Sequence, residues 1–161
     1  MQVIAASQIS GCASTTDKQL KAVLQQWLMQ GPRRIDRLIL QSLLAAAAIK
    51  QHVQTDCGLY VASTYPALTT MSSLLNTVCT EQLQPIPFEF VNSVSNAAGF
   101  HIAQQLKING PNLFISANVQ VWQQLSMLAA CDLKSGIIKQ ALLVFCDEDD
   151  DFNAQAVLLE D

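Results

Sequence analysis

Along this chain, short apolar runs alternate with longer stretches in which apolar positions recur every three or four residues, the pattern of strands interleaved with helices. Val3–Ala6 is short and β-branched at its start and predicts an opening strand. Thr15 or Thr16 then offers a helix cap, Leu20, Val23, Leu24, Trp27 and Leu28 follow at helical spacing, and Gly31-Pro32 supplies a stop. From Ile35 to Gln51 the pattern is helical but apolar on most sides, through Leu38–Leu40, Leu43, Leu44 and the alanines 45–48, which predicts a helix at the centre of the molecule. Cys57–Ala62 reads as a buried strand, Ala67–Thr80 as a helix, and Gln84–Pro87 as a rigid loop set by its two prolines. Asn96–Lys107 is a further helix closed by the turn Asn109-Gly110-Pro111, Leu113–Ala117 a strand, and Trp122–Lys134 a helix ended at Gly136. Ala141–Cys146 is the last buried strand, and the acidic stretch Asp147–Asp151 leads into a short tail. This order predicts an α/β fold of βαβ units, with a largely parallel sheet covered on both faces.

Length and composition narrow the picture. With 161 residues, half of them apolar, the chain reads as one domain over 1–161 with a sizeable core. Only 14% of residues are charged, against about 25% in ordinary soluble domains, so the exterior is poor in charge and a covering protein partner is expected. A net charge of −4 argues against nucleic acid or an anionic membrane as a ligand. The longest apolar run, Leu38–Ile49, is broken by Gln41 and Ser42 and falls short of a bilayer span. The N-terminus lacks the basic and apolar regions of a secretory signal, so a cytoplasmic location is expected. Cys12, Cys57, Cys79, Cys131 and Cys146 form an odd, widely spaced set with no CxxC pair; neither a disulfide framework nor a metal site nor any cofactor is expected, and most are read as buried apolar groups.

Phe88–Ser116, FEFVNSVSNAAGFHIAQQLKINGPNLFIS, resembles the segment leading to the nucleophile in β-ketoacyl synthases, with Asn96, His101 and Gly110-Pro111-Asn112 in register. Arg34-Ile35-Asp36-Arg37 and its alanine-rich helix, and CGLYVASTYPAL, resemble the flanking motifs, so the likeness runs from Arg33 to Cys146 in the family's order. The resemblance implies half of a thiolase-like fold, a five-stranded, mostly parallel sheet between helices. Gapless counting from Gly110-Pro111 puts Val119 at the family's cysteine nucleophile, with Gln120 beside it; valine cannot form a thioester. The family's histidines would lie in a C-terminal half that this chain does not possess, so no condensing activity is expected.

A nucleophile-free homologue of this kind resembles the chain length factors of type II polyketide systems, and its length resembles ketosynthase-like proteins of aryl polyene pathways. The resemblance implies a full-length β-ketoacyl synthase as partner in a heterodimer or higher heteromer, with acyl carrier protein engaged indirectly. It places tunnel and gating positions at Ser63–Tyr65, with Thr64 and Tyr65, and at Glu89–Ser93, with Glu89, Phe90 and Ser93. Phe90 is the expected apolar gate, and Glu89 is expected to be paired, exposed to water or displaced by Phe88 or Phe90. The strand Leu113, Phe114, Ile115, Ser116, Ala117, Asn118 is expected to pair across the dimer axis, and an apolar edge left unpaired is in any case an aggregation hazard. Two other functions stay open: a malonyl-carrier-protein decarboxylase acting through Gln120, and a scaffold that only stabilises the synthase.

The remaining candidates have plainer readings. His101 is expected in a core or interface, His52 at a helix end, Cys131 as a buried helix cysteine rather than a second nucleophile, and Trp27 and Trp122 as core or interface fillers. Asp147–Asp151 reads as a solvated acidic loop. Ser10, Ser14 and Ser116 lack a G-x-S-x-G setting, and no phosphate-binding glycine loop occurs.

Overall fold

The computed structural model describes residues 1–12, 14–147 and 151–161. The elements run β1 (Gln2–Cys12), α1 (Asp17–Leu24), α2 (Arg37–Ala48), β2 (Gly58–Ser63), α3 (Leu68–Leu75), α4 (Pro87–Asn92), α5 (Ala97–Leu106), β3 (Asn112–Ser116), α6 (Val121–Lys134), β4 (Gln140–Asp147) and β5 (Asp151–Glu160). The strands form one five-stranded sheet in the order β1-β5-β4-β2-β3. β2 lies parallel between β3 and β4, whereas β5 runs antiparallel to both β4 and β1. Four strands therefore point one way and β5 alone points back. The α/β reading and the five-stranded, mostly parallel sheet hold in that sense, and the sheet is mixed.

Alternation along the strands builds two cores. Leu59, Val61, Leu142, Val144, Phe152 and Leu158 project to one face, where α1, α2 and α5 cover them. Tyr60, Ala62, Ala141, Leu143 and Leu159 project to the other, under Val121, Leu125, Ala129 and Leu133 of α6. Every residue of β2 is buried, as its uninterrupted apolar sequence demands.

The central helix is the one its sequence predicts. Asp36 caps α2 by accepting the Ile39 N–H at 2.8 Å, and all ten residues from Leu38 to Ala47 are buried. Its alanines let neighbours come close: the Ser7 hydroxyl of β1 donates to the Ala45 carbonyl at 2.6 Å. α1 begins at the predicted cap, Thr16, which forms a reciprocal capping box with Gln19, but it ends at Leu24 and leaves Trp27 in the following turn, packed against the core.

Several expectations are corrected. The opening strand extends to Cys12, and the short tail is β5, a strand inside the sheet. α3 passes at Asn76–Thr80 into a wider π turn. Pro87 belongs to α4 rather than to the loop before it, standing at the helix start where a missing N–H costs nothing. Only Cys57 and Cys146 are buried; Cys12 lies on the edge strand β1, Cys79 in the π turn and Cys131 on the outer face of α6, all exposed. Within the acidic stretch, Asp147 ends β4 and Asp151 starts β5, and Glu148, Asp149 and Asp150 lie outside the described residues.

Candidate functional site

In parallel α/β sheets, ligand chemistry gathers at the carboxyl ends of the strands, where connections leave for opposite faces. Here β2, β3 and β4 end together, at Ser63, Ser116 and Asp147. The Asp147 carboxylate accepts the Ser63 hydroxyl at 2.9 Å and the Thr64 N–H at 2.6 Å on one oxygen, and the Thr64 hydroxyl at 2.5 Å on the other. The Ser116 hydroxyl donates to the Thr64 carbonyl at 2.9 Å, and the Ala117 N–H to the Ser63 carbonyl at 3.2 Å. Asp147 thus stitches the three strand ends and fixes the turn that carries Thr64 and Tyr65. It is part-buried and fully engaged, which corrects its reading as a solvated loop residue.

The turn into α6 sits at this end. Gln120 adopts a left-handed conformation, φ 55°, immediately before the helix starts at Val121. A left-handed conformation at a residue other than glycine costs on the order of 1 kcal/mol. Val119 precedes it, 65% exposed, its carbonyl accepting the Gln124 side-chain N–H at 3.3 Å. Val119 and Gln120 thus present an isopropyl group and an amide at this turn, with neither thiol nor hydroxyl. Neither histidine lies on this turn: His52 follows α2 and His101 is on α5. Cys131 is further along α6 and exposed, not buried as expected.

The second group of expected gating residues stands on α4, which packs against α3, the helix following the Thr64–Tyr65 turn. Phe90 is 61% exposed and Tyr65 65% exposed. Glu89 is partly exposed and has no side-chain partner among the described residues, one of the outcomes expected for it. Ser93 is buried, its hydroxyl turned back onto the Phe90 carbonyl at 2.8 Å, so it belongs to the helix end rather than to a surface. Around them Leu68 and Leu75 of α3, Val78 of the π turn, Ile86, Val91 of α4 and Val94 are all exposed, so this stretch of chain leaves many apolar side chains uncovered.

β3 is the last strand of the sheet, paired on one side only. Leu113 and Ser116 are exposed, Phe114 and Ile115 half-buried; Ala117 and Asn118 lie past the strand end, which is earlier than expected. The close fit of its leading turn explains why Gly110 stands there: a Cβ would fall 2.3 Å from the Cys57 carbonyl oxygen. That approach lets the Leu59 N–H donate to the Pro111 carbonyl at 2.7 Å, starting the β2–β3 ladder.

Other reactive groups are elsewhere. Burial pushes the Cys57 thiol up to about 12 and keeps it protonated. Hydrogen bonds from Ser14 and Thr15 hold the Cys12 thiol below its usual range, at the far edge of the sheet. Burial lowers the His101 pKa and favours a neutral ring. No cluster of metal-ligating residues occurs among the described residues, and no helix among them is long and apolar enough to cross a membrane.

No protein-family model matches the sequence, and no curated protein matches it. Solved structures do match in shape. A chain of the complex of the ketosynthase ApeO with its chain length factor ApeC from Xenorhabdus doucetiae superposes with a TM-score of 0.76 at 16% identity, over 99% of this chain and 78% of that one. The ishigamide ketosynthase/chain length factor gives 0.71 at 16% identity, over 86% of this chain and 47% of that one. The 3-oxoacyl-[acyl-carrier-protein] synthase III from Aquifex aeolicus VF5 gives 0.53 at 15% identity, over 99% of this chain and 53% of that one. At such identities the likeness is one of fold, and the fold is the thiolase-like one of ketosynthases.

Proposed function

We propose that this chain is a non-catalytic, chain length factor-like subunit that pairs with an active β-ketoacyl-[acyl carrier protein] synthase and shapes its acyl tunnel, in type II polyketide or aryl polyene biosynthesis. What supports the reading is the turn before α6 in a chain of ketosynthase-like fold: the position that gapless counting from Gly110-Pro111 matches to the family's cysteine is Val119, followed by left-handed Gln120, and neither side chain is a nucleophile. The reading accounts for two further features. β3 offers an unpaired edge for strand addition, and α3 with α4 offers apolar side chains that a partner would bury.

In this reading Leu113–Ser116 pairs with the synthase, Ala117 and Asn118 flank the junction, and Phe90 and Tyr65 border the growing chain. Thr64 is held by Asp147 and sets the position of Tyr65, while Ser93 serves the end of α4. Carrier protein meets the synthase first and this subunit indirectly, and the complex works in the cytoplasm.

The test is product length. The chain is co-expressed with the full-length ketosynthase of the same gene neighbourhood, and the elongated products of wild type and Phe90→Ala are compared by mass spectrometry. The tunnel role predicts an altered product length from an intact complex. An intact complex with unchanged products would leave only a scaffold, and condensing or decarboxylating activity from this chain alone would overturn the non-catalytic reading.

A further inference from the structure

Away from the strand ends, a cavity of about 490 Å³ opens between the Pro32–Ile35 loop, α4 and α5. Its walls are apolar, from Ile35, Phe88, Val91 and Phe100, and no acidic residue lines it. At its mouth stand Arg33 and Arg34, both exposed and neither in an ion pair among the described residues. The loop is fixed in place: the Asn92 side-chain N–H donates to the Arg34 carbonyl at 3.0 Å, and the Arg34 guanidinium lies over the Phe88 ring at 4.9 Å. A guanidinium stacked by its face keeps its in-plane N–H groups free, in the fork that matches a carboxylate or phosphate.

Charge placement points the same way. The chain carries a net charge of −4, yet five of its nine Lys and Arg, Lys18, Lys21, Arg33, Arg34 and Arg37, fall between residues 18 and 37; of these Arg37 is paired with Asp17 at 2.9 Å, while Arg33 and Arg34 line the cavity. Lys21 joins Arg33 in lining a neighbouring cavity of about 590 Å³ that shares Pro32 with this one. His101 adds a polar element to the apolar wall. Its ring meets Phe100 edge-on at 5.3 Å, and its Nδ1 is buried with no protein partner.

We propose that this cavity is a binding site for a small anionic amphiphile, an acyl or aryl group carrying a carboxylate or phosphate. The apolar body lies against Phe88, Val91 and Phe100, and the anion is held by Arg33 and Arg34. The site does not rest on pairing with a synthase; because Phe88 and Val91 also belong to the apolar face of α4, it is a site of the unpaired chain and is tested on the chain alone.

The test is calorimetry on the full chain with three probes: decanoate and decyl phosphate below their micelle concentrations, and decanol below its solubility limit. At least one anion is expected to bind about tenfold or more tightly than the neutral alcohol. R33Q/R34Q removes that advantage and leaves decanol unchanged, whereas V91W, which fills the cavity and keeps both cations, weakens all three. Urea unfolding of each variant checks that it folds; these side chains are at the surface. The stronger of the two anions identifies the source as a carboxylic acid or a phosphate ester. Equal binding of the three probes, an anion advantage that survives R33Q/R34Q, or V91W without effect would each overturn the site.

Discussion

α2 and α4 are both strongly apolar, and the molecule treats them in opposite ways. α2 is surrounded by α1, α5 and the sheet, and ten of its residues in a row are out of water. α4 has Asn92 as its buried residue, while Phe88, Phe90 and Val91 face solvent. Apolar sequence therefore has two fates here, internal core and uncovered face, and only topology separates them. α4 packs against α3, the helix that follows the Thr64–Tyr65 turn at the strand ends, and the proposed pairing with a synthase would cover this face.

The sharpest break of this contrast uses one substitution in each helix. Leu43→Ala empties a fully buried position in α2 and is expected to cost about 3 kcal/mol in urea unfolding. Phe90→Ser on α4 is expected to change the stability of the isolated chain by less than about 0.5 kcal/mol, yet to weaken association with a synthase measurably by light scattering. Equal costs in the isolated chain would erase the distinction between the two helices.

A smaller effect is expected at the strand ends. Asp147→Ala removes the acceptor of three hydrogen bonds and is expected to cost about 2 kcal/mol. Asp147→Asn is expected to cost less, because one oxygen still accepts from both Ser63 and the Thr64 N–H. A cost near zero for Asp147→Ala would show that the Thr64–Tyr65 turn is held by other means.

The smallest effect concerns His101. Its folded-state pKa lies below the ordinary 6.5 because burial penalises the charged ring. The unfolded chain therefore binds the proton more readily, so this contribution to stability is complete above about pH 6.5 and is lost as pH falls through the folded value. His101→Leu is expected to flatten that part of the dependence of urea midpoint on pH. An unchanged slope would contradict burial as the cause.

What could be read from the chain followed the strength of local patterning. α2 and β2 were legible because an unbroken apolar sequence leaves no face for solvent. The Asn109-Gly110-Pro111 turn was legible because Asn, Gly and Pro together mark a chain reversal, and the structure adds that a Cβ at Gly110 would meet the Cys57 carbonyl. β5 was missed although Phe152, Ala154, Ala156 and Leu158 alternate inward, because two alanines and an acidic start dilute the signal of a strand. A strict search for period two would have found it, and the longer β1 with it. Asp147 was misread for another reason: its partners Ser63 and Thr64 are more than 80 residues away in sequence, and no local pattern announces a bond that the sheet creates. The uncovered state of Phe90 and Leu113 likewise depends on what the fold leaves outside.

The most direct test of pairing through this face is hydrogen exchange, read by mass spectrometry, on the chain alone and mixed with the full-length ketosynthase of its gene neighbourhood. Added protection is predicted at residues 112–118 and 87–94, with none in the already buried 38–47. Mixing without any change, or a change confined to segments remote from β3 and α4, would contradict it.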